Sequence, residues 1–153
     1  MVAQQPSLAV VDASVFFKWL VTDEEYIEQA TALRDDYYFR SKLKLIAPQL
    51  LVYEAVNAIA VATHRNRVSP EKAVEGINSL LALGVELREV PAARILELAL
   101  KHKLAAYDAA YLALAEDEKC DLWTGDRVFY RAVRNESDHV KWIGDYKRKE
   151  GKP

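Results

Sequence analysis

The sequence predicts a three-layer α/β fold, and three observations carry that prediction. Short apolar runs alternate with stretches of helical periodicity, from Leu8-Ala9-Val10-Val11 at one end to Val140-Lys141-Trp142-Ile143 at the other. The first run is rich in β-branched residues and stops abruptly on Asp12, as a strand buried on both faces does on reaching the edge of a parallel sheet. Strand-helix-strand alternation calls for right-handed crossovers, which cover both faces of that sheet with helices. The expected layout is about five short strands with six or seven helices.

Taken in order, Ser14 to Leu20 forms a short helix carrying Phe16, Phe17 and Trp19. Thr22-Asp23-Glu24-Glu25 has the spacing of a capping box, so a second helix should start there and run to about Arg40. Its inner face would carry Ile27, Ala30, Leu33 and Tyr37. Leu43 to Ala47 reads as the second strand, and Pro48 suits the first position of the helix after it. That helix, to about Arg65, is apolar enough that most of its circumference should be buried, with Glu54 an odd acid in its second turn. Ser69-Pro70 opens the next helix as N-cap and N1, and Gly84 closes it. Val85 to Val90 alternates like an edge strand. Pro91 starts a helix that ends at Lys101-His102-Lys103, and another runs from Ala106 to Lys119. Asp121 to Thr124 is a strand, Arg127 to about Arg134 a helix and Val140 to Ile143 the last strand. From Gly144 onward the polar, basic chain should fray.

Composition bounds the function. The 153 residues, 51% hydrophobic, can bury one sizeable core, so 1–153 is expected to be a single domain with 1–6 and 145–153 as flexible ends. Five Gly and five Pro leave no room for a linker-rich region, and there is no internal repeat. One cysteine, Cys120, excludes an intrachain disulfide and fits a reducing, cytoplasmic setting, where a structural thiol is its expected role. Met1 to Ser7 lacks the pattern of a secretory leader, and no stretch nears the roughly 18 to 20 apolar residues of a membrane span. A net charge of −2 gives no general pull on nucleic acid, so any polyanion must be held by local basic patches or a metal.

Chemistry concentrates in four acids, Asp12, Glu54, Asp108 and Asp126, each close to the start of an expected helix. Each has a plain alternative: Asp12 and Asp126 could cap helices, Asp108 could complement a helix dipole, and Glu54 could lie at a partly exposed edge. Glu54 resists its alternative best, because no Lys or Arg lies within one turn of it and Asn57 is its nearest polar neighbour. All four can reach the carboxyl edge of the sheet, where open α/β folds place their ligands. Crowded carboxylates repel unless a cation such as Mg2+ or Mn2+ relieves them. His64, His102 and His139 lack metal-ligand spacing and read as surface residues. A haloacid-dehalogenase phosphatase would need Asp where Ser14 stands, and the Gly-Lys-Ser/Thr loop of a P-loop NTPase is absent.

The four acids sit in Val-Val-Asp12-Ala-Ser14, Tyr-Glu54-Ala-Val-Asn57, Tyr107-Asp108-Ala-Ala-Tyr111 and Thr124-Gly-Asp126. Together these resemble the PIN-domain ribonucleases, and most closely the VapC-type toxins of toxin–antitoxin pairs, over Leu8 to about Ile143. Gly125 departs from the pattern, a larger residue being commoner there. The resemblance implies sheet order 3-2-1-4-5, a homodimer, Mg2+ or Mn2+ dependence and a cognate antitoxin that blocks the acidic groove with Arg or Lys. It implies a metal-dependent endoribonuclease in which the four acids hold the metal and Ser14, Asn57 and Thr124 orient them. A catalytically silent PIN-like module that binds RNA or protein, or an RNA-processing PIN nuclease outside toxin–antitoxin systems, is the alternative. Phe16, Phe17 and Trp19 are expected in the core or at the dimer interface. Arg127, Arg131 and Arg134 share one helix face beside Asp126, and Lys101, His102 and Lys103 precede the Asp108 helix. Both clusters, Arg127, Arg131, Lys101 and Lys103 above all, could hold RNA, or could simply face solvent.

Overall fold

A computed structural model of the chain describes residues 5–150. The expectation of flexible ends at 1–6 and 145–153 therefore falls partly outside the described residues. The strands are β1 (Ser7–Val11), β2 (Leu43–Pro48), β3 (Glu86–Arg88), β4 (Asp121–Thr124) and β5 (Val140–Trp142). They form one all-parallel sheet in the order β3-β2-β1-β4-β5. β1 is central, with Val10 level with Ile46 of β2 and Leu122 of β4. The helices are α1 (Ala13–Lys18), α2 (Ile27–Tyr38), α3 (Leu51–His64), α4 (Pro70–Ala82), α5 (Ala92–His102), α6 (Ala106–Glu118) and α7 (Arg127–Val133).

Alternation along β1 explains the three layers. Val10 points into a core shared with Ile46, Leu122, Phe16, Leu51, Ile59, Leu112 and Phe129. Its neighbours Ala9 and Val11 point to the other face, where Val15, Leu33, Leu45 and Ile143 meet them. A strand covered on both faces has no polar side to spare, which is why its sequence reads as an unbroken apolar run.

Several elements depart from the sequence reading. α2 starts at Ile27, after a left-handed Tyr26 (φ 59°), and no side chain caps it. The Thr22–Glu25 capping box does not form because tertiary cations take its acids. Arg67 reaches Asp23 at 2.7 Å and Glu24 at 2.8 Å, Lys18 lies 3.8 Å from Glu24, and Arg127 lies 3.1 Å from Glu25. Pro48 ends β2 rather than opening α3, so Glu54 sits in the first turn of α3. α3 buries only the stripe Leu51, Ala55, Ile59 and Ala62, leaving Tyr53 and Val56 exposed. Ser69 and Gly84 act as expected: the Ser69 hydroxyl accepts from Lys72 N–H at 3.3 Å, and Gly84 has φ 74°.

Nor does the chain fray at Gly144. A short 3-10 turn (Ile143–Asp145) delivers Tyr146 into the core, edge-on to Trp123 with centroids 4.8 Å apart. Its hydroxyl donates to Asp36 at 2.6 Å, and Lys149 N–H donates to the same carboxylate at 2.7 Å. Phe16 is buried in the core, whereas Trp19 is half-buried, its indole N–H donating to Ala30 O at 2.8 Å.

Candidate active site

The sequence delivers the four acids by two local devices. Asp12 and Asp126 follow strands that end at the same sheet edge, and each caps the helix that follows. The Asp12 Oδ1 accepts from Ser14 N–H at 3.0 Å, from Val15 N–H at 3.3 Å and from the Ser14 hydroxyl. The Asp126 Oδ1 accepts from Val128 N–H at 2.9 Å and Phe129 N–H at 3.1 Å. Capping and site chemistry are compatible here, since each cap engages a single carboxylate oxygen. Glu54 and Asp108 arrive instead in the first turns of α3 and α6, and neither caps its helix.

Charge couples the four. Burial pushes the Asp12 carboxyl up to about 6, against hydrogen bonds from Ser14, Thr124 and Val15, and Asp126 adds to the rise. Asp108 is likewise pushed up to about 6, first by burial and then by Asp126 and Glu54. Glu54 is raised by burial, lowered by the nearby Tyr111 hydroxyl and raised again by Asp126. Asp12, Glu54 and Asp108 each thus feel at least one other acid of the set, which puts the four within electrostatic reach of one another. None is in an ion pair among the described residues. Glu54 Oε1 and the Tyr111 hydroxyl are both buried without a hydrogen-bond partner. Among the described residues no three of His, Cys, Asp and Glu stand ready-made at metal-holding separation. The donor set is all oxygen and net anionic, with one buried oxygen unpartnered, so it fits a hard divalent cation.

The supporting groups divide. Ser14 accepts from Gly125 N–H at 2.8 Å while its hydroxyl donates to Asp12, tying the end of β1 to the turn after β4. Thr124, fully buried, accepts from Asp126 N–H at 3.0 Å and also lowers Asp12. Asn57 is exposed and hydrogen-bonds none of the four acids among the described residues. It does line the same groove, of about 550 Å³, with Ser14, Phe17, Tyr53, Glu54 and Tyr107. Gly125 has a local reason: a Cβ there would come within 2.9 Å of Lys18 Cε, and the Lys18 side chain is buried against that turn.

Two further groups stand near the site without a role that the sequence assigns, Tyr111 and Lys18. Tyr111 was legible only as three residues beyond Asp108, hence on its helix face. Lys18 had no local signal, because its burial depends on Gly125 and Glu24. The basic residues lie on two sides. Arg94, near the start of α5, binds Glu116 and Asp117 near the end of α6, so the two helices run antiparallel. Exposed Lys101 and Lys103 therefore lie at the Asp108 end of α6. His102 between them is not a surface residue: its side chain is only 2% exposed, with Nδ1 2.6 Å from Glu136. Arg127 and Arg131 are exposed beside Asp126 on α7.

Comparisons with known proteins agree with this geometry. The PIN domain family model matches residues 9–135. Exonuclease VapC9 of Pyrobaculum aerophilum is 31% identical over 119 residues, spanning 74% of this chain and 90% of that protein. The crystal structure of PAE2754 from Pyrobaculum aerophilum superposes with TM-score 0.66 at 25% identity, covering 90% of this chain and 92% of that one. VapC20 of Mycobacterium tuberculosis, a toxin that cleaves the sarcin-ricin loop, superposes with TM-score 0.59 over 81% of this chain and 94% of its own. At 17% identity its likeness is one of fold.

Proposed function

This chain belongs to the PIN-domain family of VapC-type nucleases, and from that premise we propose that it is a metal-dependent endoribonuclease, the toxin of a toxin–antitoxin pair. The observation that carries the reading is the set of four coupled carboxylates that no Lys or Arg of the described chain neutralises. A binding-only module has no use for such a set, since leaving it unneutralised costs stability.

In this reading Asp12, Asp108 and Asp126 would hold a Mg2+ or Mn2+ ion, and Glu54 would complete the site or orient the attacking water. The cation, when bound, supplies Lewis acidity and offsets charge on the phosphoryl oxygens. Ser14 and Thr124 keep Asp12 and Asp126 aimed by their hydrogen bonds. Water attacks phosphorus in line, the bond from phosphorus to the 3′ oxygen breaks, and that oxygen takes up a proton. The products are a 5′-phosphate and a 3′-hydroxyl. Lys101, Lys103, Arg127 and Arg131 hold the RNA backbone from the two sides of the groove. Asn57 contacts substrate rather than the acids.

The partners belong to the same proposal. An antitoxin places Arg or Lys among the carboxylates, supplying the cation the chain itself lacks. A homodimer would use the exposed apolar residues of α3 and α5, such as Val56, Leu96 and Leu100, since Phe16 is spent in the core. No described helix is long and apolar enough to cross a membrane. Cytoplasmic residence is proposed on the toxin reading.

The name of the VapC9 relative favours a second reading, attack from RNA ends. Covalently closed circular RNA separates the two. Linearisation in Mn2+ by the wild type, and its loss in Asp12→Asn, is the result expected of an endonuclease. Degradation of linear RNA with circles left intact would assign exonuclease activity, and no cleavage of either would overturn the nuclease reading.

A further inference from the structure

The arginine face of α7 is not a plain solvated surface. Arg127, Arg131 and Arg134 line a pocket of about 170 Å³ together with Tyr130 and Trp142. The aromatic wall is built and held. Trp142, the last residue of β5, has its ring 5.6 Å from Tyr130 and 5.5 Å edge-on from Tyr26, with Gly144 packed against the indole. The Arg127 guanidinium lies over the Trp142 ring, 5.4 Å from its centroid, and is tethered there by Glu25 and by the Tyr26 hydroxyl at 3.3 Å. Arg131 and Arg134 are exposed and in no ion pair among the described residues, so two cations of the pocket are uncommitted. The pocket lies along α7, the helix whose first turn Asp126 caps.

That combination fits one ligand class. Planar guanidinium and indole faces stack nucleobases, and free arginines bind phosphate oxygens through paired donors. We propose that this pocket receives one unstacked nucleobase of the RNA together with its phosphate. The inference rests on the reading of the protein as a ribonuclease and deepens it by adding a base-binding subsite on α7 and β5. A base held in a duplex is stacked and paired, and cannot enter a side pocket without being splayed out. The pocket thus selects loops and single strands by shape, with stacking tolerant of base identity and the arginines responsible for the salt dependence.

The test measures binding without divalent cation, so that no cleavage intervenes. Full-length protein is titrated with oligouridylate, with a ribose-phosphate oligomer of equal length lacking bases, and with duplex RNA. Oligouridylate is expected to bind about tenfold more tightly than the baseless oligomer, the loss of one base-aromatic stack. Trp142→Leu should erase that difference, and Arg131→Gln with Arg134→Gln should weaken both single strands while flattening their salt dependence. Equal affinity of the wild type for the baseless oligomer and oligouridylate overturns the subsite, a result that needs no variant to fold. Duplex binding as tight as single-strand binding overturns the single-strand selectivity. Either outcome leaves the cleavage of circular RNA, and hence the nuclease reading, untouched.

Discussion

Asp36 at the end of α2 and Asp12 at the end of β1 are the two buried aspartates among the described residues, and their surroundings meet the cost of burial in opposite ways. Asp36 is fully enclosed, but Arg40 from the next turn, the Tyr146 hydroxyl and the Lys149 N–H all converge on it. Arg40 also donates to Lys149 O at 2.6 Å, so the clamp pins the C-terminal segment to α2. Asp12 receives hydrogen bonds but no cation, and its charged neighbour is another acid. A buried carboxylate with its own arginine is complete as folded. One that is buried among acids has a charge left to be answered from outside the chain, and that is the physical mark of a binding site.

The largest expected effect is a difference of sign. Asp36→Ala leaves Arg40 and Tyr146 without their partner and should cost about 3 kcal/mol, at the lower end for breaking a buried pair because Arg40 is partly exposed. Asp12→Asn should instead slightly stabilise the metal-free protein by removing a buried charge and, with it, the repulsion from Asp126. Urea unfolding of both variants reads the contrast. Comparable destabilisation by the two would erase the distinction between a structural and a site carboxylate.

A pH series sharpens the same contrast. The folded-state pKa values of Asp12 and Asp108 lie above the ordinary aspartate value of 3.8, both at about 6. Between about pH 4 and pH 6 the folded protein therefore holds more protons at these groups than the unfolded chain does. Their contribution to stability is fully present below that window and is lost as pH rises through it. Thermal unfolding of metal-free protein should show that loss, and Asp12→Asn should reduce it. Divalent cation affinity should rise across the same window, because ligands must deprotonate to bind.

These two aspartates also mark what could be read from sequence. Asp12 was legible because a both-faces-buried strand ending on an acid is a local pattern, and the same holds for Asp126 after Asp121–Thr124. The five parallel strands followed from their apolar runs, and their order from the family resemblance. Asp36 was not legible: its partners Tyr146 and Lys149 lie more than a hundred residues along the chain, in a polar, basic stretch expected to fray. The Thr22–Glu25 box failed for the same reason. Its local spacing was right, but Arg67, Lys18 and Arg127 outbid the helix terminus for those acids. Buried His102 depends similarly on Glu136. Local periodicity and caps decide most elements, while the start of α2 and the course of the C-terminal segment follow long-range charge pairing.

A smaller effect is expected at Ser14, which joins Asp12 to Gly125. Ser14→Ala should lower stability by about 1 kcal/mol, the usual worth of such a hydrogen bond. RNA cleavage should fall by about 10- to 100-fold, as for other groups that orient metal ligands. Cleavage at the wild-type rate would show that Asp12 is aimed without Ser14.

The most direct measurement is Mn2+ binding followed by paramagnetic resonance, above pH 6 and without RNA. Wild-type protein should take up Mn2+, and Asp12→Asn, Glu54→Gln, Asp108→Asn and Asp126→Asn should each bind it at least about tenfold more weakly. Asp36→Asn, if folded, should bind like the wild type. Wild-type Mn2+ affinity in all four acid variants would contradict the claim that these carboxylates together form a metal site.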